Sequence, residues 1–206
     1  MVAVDSGRVI ALRDLLAGTG WVERTRDFAT TLRRTSTTPG GLLLVGTPQD
    51  EPWHLAAHLD DESRLTSTPS LSPTLVRWSA PPDAPPHLSF TLARLEAARR
   101  DETVFIVAPS VAPESLLERI ADARRVGATI LSIDDGDDEL GALTHDRLVV
   151  PSDTELLSQT GPGPALNIDV LQHMVSIAAG EDPSRRVARS RLSRFLDRVS
   201  GPAPRH

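Results

Sequence analysis

The chain has 206 residues, of which 39% are hydrophobic and 3% aromatic, and its net charge is −6. This length and composition suit one domain with an aliphatic core, and the absence of cysteine excludes thiol nucleophiles, disulfides and thiolate metal sites. All 22 basic residues are arginine, which excludes lysine Schiff bases and P-loop lysines, while the acidic balance argues against a general nucleic-acid binder.

Helical and buried-strand patterns alternate along the chain. The spacing of apolar residues predicts helices at residues 9–16, 21–32, 52–65, 88–100 and 113–126, around residue 140, and at 166–179. Short aliphatic runs predict strands at residues 42–45, within 71–78, and at 104–107, 128–133 and 148–150. An arginine-rich segment with its own apolar stripe follows from residue 184 and predicts a tail helix.

Residues 103–134 give the clearest local signal, a strand, a turn, an amphipathic helix and a second strand. Pro113 suits the first helical turn, and Gly127 ends the helix before the next aliphatic run. Such a unit requires parallel strands. Five strands alternating with helices therefore predict an α/β fold, a doubly wound five-stranded parallel sheet flanked by helices.

The expected organisation has three parts. We expect N-terminal helices over residues 1–39, the α/β domain over residues 40–182, and an arginine-rich C-terminal helix and tail over residues 183–206. No apolar run approaches the length of a membrane span, and the first ten residues lack the basic region and apolar core of a signal peptide. We therefore expect a cytoplasmic protein with no membrane contact.

Three segments resemble the sugar isomerase (SIS) domain family. Residues 42–65 are similar to the family's first strand, glycine loop and helix, and residues 104–134 to a central strand, loop and helix. Residues 148–181 are similar to its last strand and closing helix. The resemblance implies a five-stranded parallel sheet between helices and a site for phosphorylated sugars at the carboxyl ends of the strands.

The loops that would hold a phosphate depart from the family pattern. The family's S-x-S-G-x-T/S loop corresponds here to residues 108–113, where Ser110 remains, Ser115 is a nearby helper and two prolines lack an N–H donor. The loop after the first strand contains Thr47 followed by two carboxylates, which would repel a phosphate. We expect any retained ligand to lie over Thr47, Ser110 and Ser115, without the usual phosphate contacts.

Three histidines and one glutamate form the second candidate set. His54, His58 and Glu62 share one face of a predicted helix because they are four residues apart. The resemblance to the sedoheptulose-7-phosphate isomerase branch implies catalytic roles for His58, Glu62 and His173, although Ala165 replaces the branch's glutamine. His54 and His58 are weak metal candidates that need a third ligand, and ordinary surface histidines are the alternative. No cofactor is expected.

A dense acidic segment follows the fourth predicted strand. Residues 134–139 are DDGDDE, which lacks the spacing and distal glutamate of a calcium loop, so we expect a solvated turn.

Three functions remain open from the sequence, of which a transcription regulator is the weakest, because the residues before the first strand show no clear recognition helix with basic residues spaced for a DNA groove. The first is a non-catalytic SIS-like binding or regulatory module with a residual sugar-type ligand site. The alternative is a phosphosugar isomerase that uses a His/Glu acid-base pair. We also expect a homodimer whose interface includes the N-terminal helices and the closing helix, and a further protein partner is left open.

Overall fold

The computed structural model describes residues 20–80, 83, 85, 89–150 and 168–181. It contains five strands: β1 (Leu42–Gly46), β2 (Thr74–Val76), β3 (Thr103–Ala108), β4 (Thr129–Asp134) and β5 (Asp146–Val149). All neighbouring strands are parallel, and their order is β2-β1-β3-β4-β5. The predicted five-stranded parallel α/β sheet is therefore confirmed.

Six α-helices lie among the described residues, together with a short 3-10 helix at Pro69–Leu71. They are α1 (Trp21–Thr35), α2 (Trp53–Thr66), α3 (Ala93–Glu96), α4 (Glu114–Val126), α5 (Asp138–Leu143) and α6 (Ile168–Gly180). The predicted helix at residues 9–16 and the C-terminal helix and tail lie outside the described residues.

The helices cover both faces of the sheet. Every residue of β1 and β3 is buried, and alternate side chains enter two separate cores. One core joins α1, α2 and α6 to the sheet through residues such as Phe28, Leu55 and Leu171. The other joins α3, α4 and α5 to the opposite face, so the chain forms three layers.

The turn and helix signals of the central unit are confirmed. Helix α4 begins directly after Pro113 and ends at Gly127, whose φ of 99° is the left-handed conformation that glycine adopts at low cost. The backbone N–H of Gly127 donates to Arg124 at 3.0 Å, and Ala128 N–H donates to Ala123 at 3.0 Å. These bonds direct the chain into β4.

The predicted helix over residues 88–100 is much shorter than expected. The backbone N–H of Arg77 donates to Phe90 O at 2.8 Å, and Arg77 forms a parallel bridge with Thr91. Because this backbone extends the edge of the sheet beyond β2, it cannot be helical, and α3 starts only at Ala93. Among the described residues, no helix is both long and apolar enough to cross a bilayer.

Candidate functional site at the carboxyl edge

The strand order places a crevice between the loops after β1 and β3. Strand β1 lies between β2 and β3. The connection from β1 to β2 contains α2, which covers one face of the sheet, and the connection from β2 to β3 contains α3, which covers the opposite face. Ligands of doubly wound proteins bind at such a switch point, outside the carboxyl ends of the strands. Helix α2 begins at this edge because it follows β1 directly.

Three histidines from two helices converge beside this edge. His54 and His58 are one turn apart on α2, and His173 comes from α6. The Nε2 atoms of His54 and His58 are 3.0 Å apart, and the ring centroids of His58 and His173 are separated by 4.5 Å. One nitrogen from each of the three rings lies within 4.8 Å of the others. We call His54, His58 and His173 the histidine cluster.

The packing of α6 against α2 brings the third histidine, His173, close to the other two. His173 lies beside the first two turns of α2, while Gly180 lies beside Glu62 two turns along, so the two helices run in the same direction. Most of α6 is buried against the rest of the chain, and His173 is only 6% exposed. His54, in the first turn of α2, is exposed, so the cluster extends from the protein interior to solvent.

The surroundings of the cluster favour neutral imidazoles. Burial lowers the pKa of His173, and the neighbouring rings of His58 and His54 lower it further. Burial also lowers the pKa of His58, with His54 adding to the effect and Asp61 opposing it. His173 Nδ1 is buried without a hydrogen-bond partner. Neutral imidazole is the form that binds metal ions, so two members of the cluster are held in the ligand-competent state.

Glu62 lies outside this group of three. Its carboxylate packs on the backbone of Gly180, where a Cβ atom would overlap Glu62 Oε2. Burial raises the pKa of Glu62, and Asp61 raises it further. The structure thus brings His58 and His173 together, adds His54, and places Glu62 one turn farther along α2 against α6.

The loop after β1 is braced by its own side chains. Thr47 is fully buried, and its hydroxyl donates to Asp50 Oδ2 at 3.4 Å. Glu51 accepts hydrogen bonds from Trp53 Nε1 at 2.8 Å and from Arg77 Nε at 3.1 Å. The Arg77 guanidinium also lies over the Trp53 ring, 4.6 Å from its centroid. The Thr47 hydroxyl therefore bonds within the loop, and the Arg77 guanidinium is already paired with Glu51.

The two predicted serines of the next loop are accessible. Ser110 follows β3 and is exposed, and Ser115 is exposed in the first turn of α4. The structure places Ser110, Ser115 and Thr47 at the same edge of the sheet, but only the serines present their side chains to solvent.

The acidic segment after β4 is not the fully solvated turn that the sequence predicts. Asp134 is completely buried and Asp137 is 8% exposed, whereas Asp135 and Asp138 are exposed. Arg147 Nε donates to Asp134 Oδ2 at 2.9 Å, and its Nη2 donates to the carbonyl of Asp137 at 2.8 Å. Arg147 neutralises the buried acid, and this long-range pairing carries no signal in the local sequence.

Comparisons with known proteins give no family. No protein-family model matches the chain, and no curated protein matches it. Among solved structures, the chain is similar to a putative sugar binding protein from Salmonella typhimurium LT2, with 14% identity and a TM-score of 0.41. The match covers 82% of this chain and 52% of the other, so the chain spans about half the length of that protein. A similarity of this size does not establish a ligand, and the resemblance to the SIS domain family stays a prediction.

Proposed function

We propose that the chain is a non-catalytic, SIS-like small-molecule-binding module that holds a divalent transition metal in the histidine cluster. The observation that carries the proposal is the convergence of three imidazoles from α2 and α6. The metal would lie beside the crevice at the carboxyl edge, where a small sugar-derived ligand could reach it.

The geometry suits a small ion with nitrogen ligands. Zinc binds histidine nitrogens at about 2.0–2.1 Å, so the nitrogens of a tetrahedral site are separated by about 3.3 Å. The His54 and His58 Nε2 atoms are 3.0 Å apart, close to that separation, and the third nitrogen is within 4.8 Å of both. A modest rotation of side chains would complete the site. Three histidine ligands leave a fourth position open for water or for a ligand oxygen.

The charge around the cluster supports the same conclusion. The Nε2 atoms of His54 and His58, 3.0 Å apart, can form a hydrogen bond between two neutral imidazoles, in which one Nε2–H donates to the lone pair of the other ring, or both lone pairs can bind a cation. Burial and the neighbouring rings lower the pKa of His58 and of His173, which opposes protonation of these two rings. A divalent ion can therefore bind the lone pairs of these rings without first displacing a proton from an imidazolium.

The surrounding loops support binding without isomerisation. Isomerisation of a phosphosugar needs a positioned base and an anchored substrate at the same time. Pro109 and Pro113 supply no N–H, and Arg77 is already paired with Glu51 of the facing loop. The chain therefore has candidate bases but a poor phosphate anchor.

One observation favours the isomerase alternative. Glu62 and His58 are one turn apart on α2, and the raised pKa of Glu62 makes it a stronger proton acceptor at neutral pH. If the chain is an isomerase, the zinc-loaded protein should convert a phosphosugar in a coupled assay, and Glu62→Gln should abolish turnover while zinc binding is retained. Absence of turnover over a broad phosphosugar panel would support the binding module.

Calorimetric titration with zinc tests the metal proposal. We expect one equivalent to bind after the protein has been treated with a chelator, and we expect His54→Ala or His173→Ala to weaken binding by about 100-fold. His145→Asn is the matched control, because His145 lies outside the cluster and its Nδ1 accepts a backbone hydrogen bond from Ile130 that an asparagine oxygen can also accept. Equal zinc affinity in all four proteins would refute the proposal.

A further inference from the structure

The loop after β3 is the place where a parallel α/β sheet ordinarily offers backbone N–H groups to an anion. Such a loop leads into a helix N-terminus, and both the free N–H groups and the helix dipole attract negative charge. In this chain the loop contains residues 109–113 and is followed by the 13-residue helix α4.

Four of these donors, the N–H groups of Ser110, Val111, Glu114 and Ser115, have no hydrogen-bond partner among the described residues, and the others are not available. Pro109 and Pro113 have no N–H, and the first intrahelical bonds take Leu116 N–H and Leu117 N–H to Pro113 O at 2.8 and 3.1 Å. Ala112 is the buried residue of the loop, with 3% of its surface exposed. Its N–H donates at 2.8 Å to Asp137 Oδ2, so a carboxylate from the chain itself already occupies this inward-facing donor.

Asp137 is fixed in that position from two sides. Its Oδ1 accepts hydrogen bonds from Glu139 N–H at 3.0 Å and from Leu140 N–H at 3.1 Å, which caps α5. Arg147 Nη2 donates to the Asp137 backbone carbonyl at 2.8 Å. With 8% of its surface exposed, Asp137 connects the start of α5 to the loop after β3 and has little freedom to move aside.

The local charge reinforces the exclusion of anions. The segment that contains Asp137 also carries three exposed acidic residues, Asp135, Asp138 and Glu139. The nearby cation, Arg147, makes its closest contacts with the buried Asp134 carboxylate. A phosphate approaching the loop would meet carboxylates and no unpaired guanidinium among these residues.

We infer that Asp137 is a specificity-determining residue whose carboxylate takes the inward-facing donor of this loop and repels phosphate there, so that the site favours compounds without phosphate. This inference rests on the proposed function, a small-molecule site at this edge of the sheet. It adds the chemical class of the ligand. That class is an uncharged polyhydroxy compound, whose hydroxyls can bond the exposed Ser110 and Ser115 side chains.

The test compares Asp137→Asn with Asp138→Asn, using inorganic phosphate as the probe at constant ionic strength. Both variants remove one negative charge, but only Asp137→Asn changes the acceptor at Ala112 N–H. The single amide oxygen is held by the two N–H donors of α5, so the amide nitrogen, a donor, faces Ala112. We expect backbone-amide NMR of the wild-type protein and of Asp138→Asn to show no saturable shift at Ala112. Asp137→Asn should show a saturable shift at Ala112 and at the first turn of α4, with phosphate affinity increased at least about tenfold.

Three outcomes would overturn the inference. They are saturable phosphate binding at Ala112 in the wild-type protein, an equal gain in the two variants, and no gain in a folded Asp137→Asn. The wild-type titration stands by itself if Asp137→Asn does not fold. Zinc titration of the same samples tests the metal proposal separately. If zinc does not bind, the metal proposal fails, but the phosphate result at Ala112 is unchanged.

Discussion

His173 is the residue on which the site depends most, because it is the buried member of the cluster and comes from a different helix. His54 and His58 alone would be two histidines on one turn of a partly exposed helix. The third ring converts that pair into a group that can surround an ion. Its unpartnered Nδ1 also shows that burial of the ring is not offset by a hydrogen bond at that atom.

The lowered pKa values predict how stability depends on pH in the metal-free protein. Since the unfolded chain protonates its histidines near pH 6.5, about their ordinary pKa, while folded His58 and His173 resist protonation, the unfolded state binds more protons below that pH. The free energy of unfolding should therefore fall as pH drops through about 6.5 and level off below the folded pKa values. Glu62, whose folded pKa is raised, offsets part of this loss at lower pH.

Urea unfolding over this pH range checks the effect. His173→Gln should show a shallower decline than the wild-type protein because it lacks one of the two shifted imidazoles, and His145→Asn should follow the wild-type slope. A slope that is identical in His173→Gln and wild type would contradict the assignment.

At the residue scale, local spacing predicted part of the site. The four-residue spacing placed His54 and His58 on one helical face, and the SIS resemblance singled out His173. The sequence could not show that Glu62 would pack on Gly180 or that Asp137 would reach Ala112, because both contacts depend on how separate elements dock. Five acidic residues in six positions are typical of a solvated turn. Arg147, which pairs with the buried Asp134, lies 13 residues further along the chain.

At the element scale, the end of β1 is the tightest point near the crevice. A Cβ atom at Gly46 would overlap the Asp50 carbonyl and would lie 2.7 Å from Pro52 Cδ, both of which belong to the following loop. Gly46→Ala should therefore displace this loop and lower the free energy of unfolding by about 2–3 kcal/mol. Gly40→Ala is the comparison, since it has open space and only an unfavourable φ of 75°, which costs about 1 kcal/mol. Chemical denaturation that gave equal losses in the two variants would refute the steric argument.

The ion pair between Asp134 of β4 and Arg147 of β5 gives a second prediction about the free energy of unfolding. Arg147 holds the fully buried Asp134 carboxylate, with additional bonds to that carboxylate from Ser132 Oγ at 2.7 Å and Gly136 N–H at 3.0 Å. Arg147→Ala would leave a buried charge with two neutral donors, so we expect a loss of about 3 kcal/mol in the free energy of unfolding. The double variant Asp134→Asn/Arg147→Ala should recover part of that loss, because it removes the charge. Failure of the second substitution to recover any stability would contradict this account.

The elements themselves followed closely from the sequence. Aliphatic runs predicted β1 and β3 because strands covered on both faces need apolar side chains throughout. The edge strand β5 begins two residues before the predicted run, at Asp146 and Arg147, which are only partly buried. Helix α4 was predicted between Pro113 and Gly127 because both boundary signals act locally. The prediction over residues 88–100 failed because the bridge of Arg77 with Thr91 is a long-range contact that overrides helical spacing.

At the scale of the whole molecule, metal binding should stabilise the fold because the cluster joins two helices. Zinc that binds only the native state at about 100 times its dissociation constant should add about 2.7 kcal/mol. Thermal unfolding should then show a rise in Tm for the wild-type protein with zinc, which His173→Gln lacks. An equal rise in both proteins would place the ion elsewhere.

The predicted homodimer remains a prediction at this scale. Most of α6 is already buried within one copy of the chain, so this helix has little free surface for an interface. We expect any dimer to use other surfaces. Sedimentation equilibrium checks whether a dimer forms, and a purely monomeric protein at all concentrations tested would contradict it.

X-ray absorption spectroscopy at the zinc edge is the most direct test of the central claim. In the protein loaded with one equivalent of zinc, we predict a first shell that includes three imidazole nitrogens at about 2.0–2.1 Å. The fitted number of imidazoles should fall in His54→Ala and in His173→Ala and stay unchanged in His145→Asn. A shell of oxygen ligands, or a spectrum that none of these substitutions alters, would contradict the assignment of the histidine cluster as a metal site.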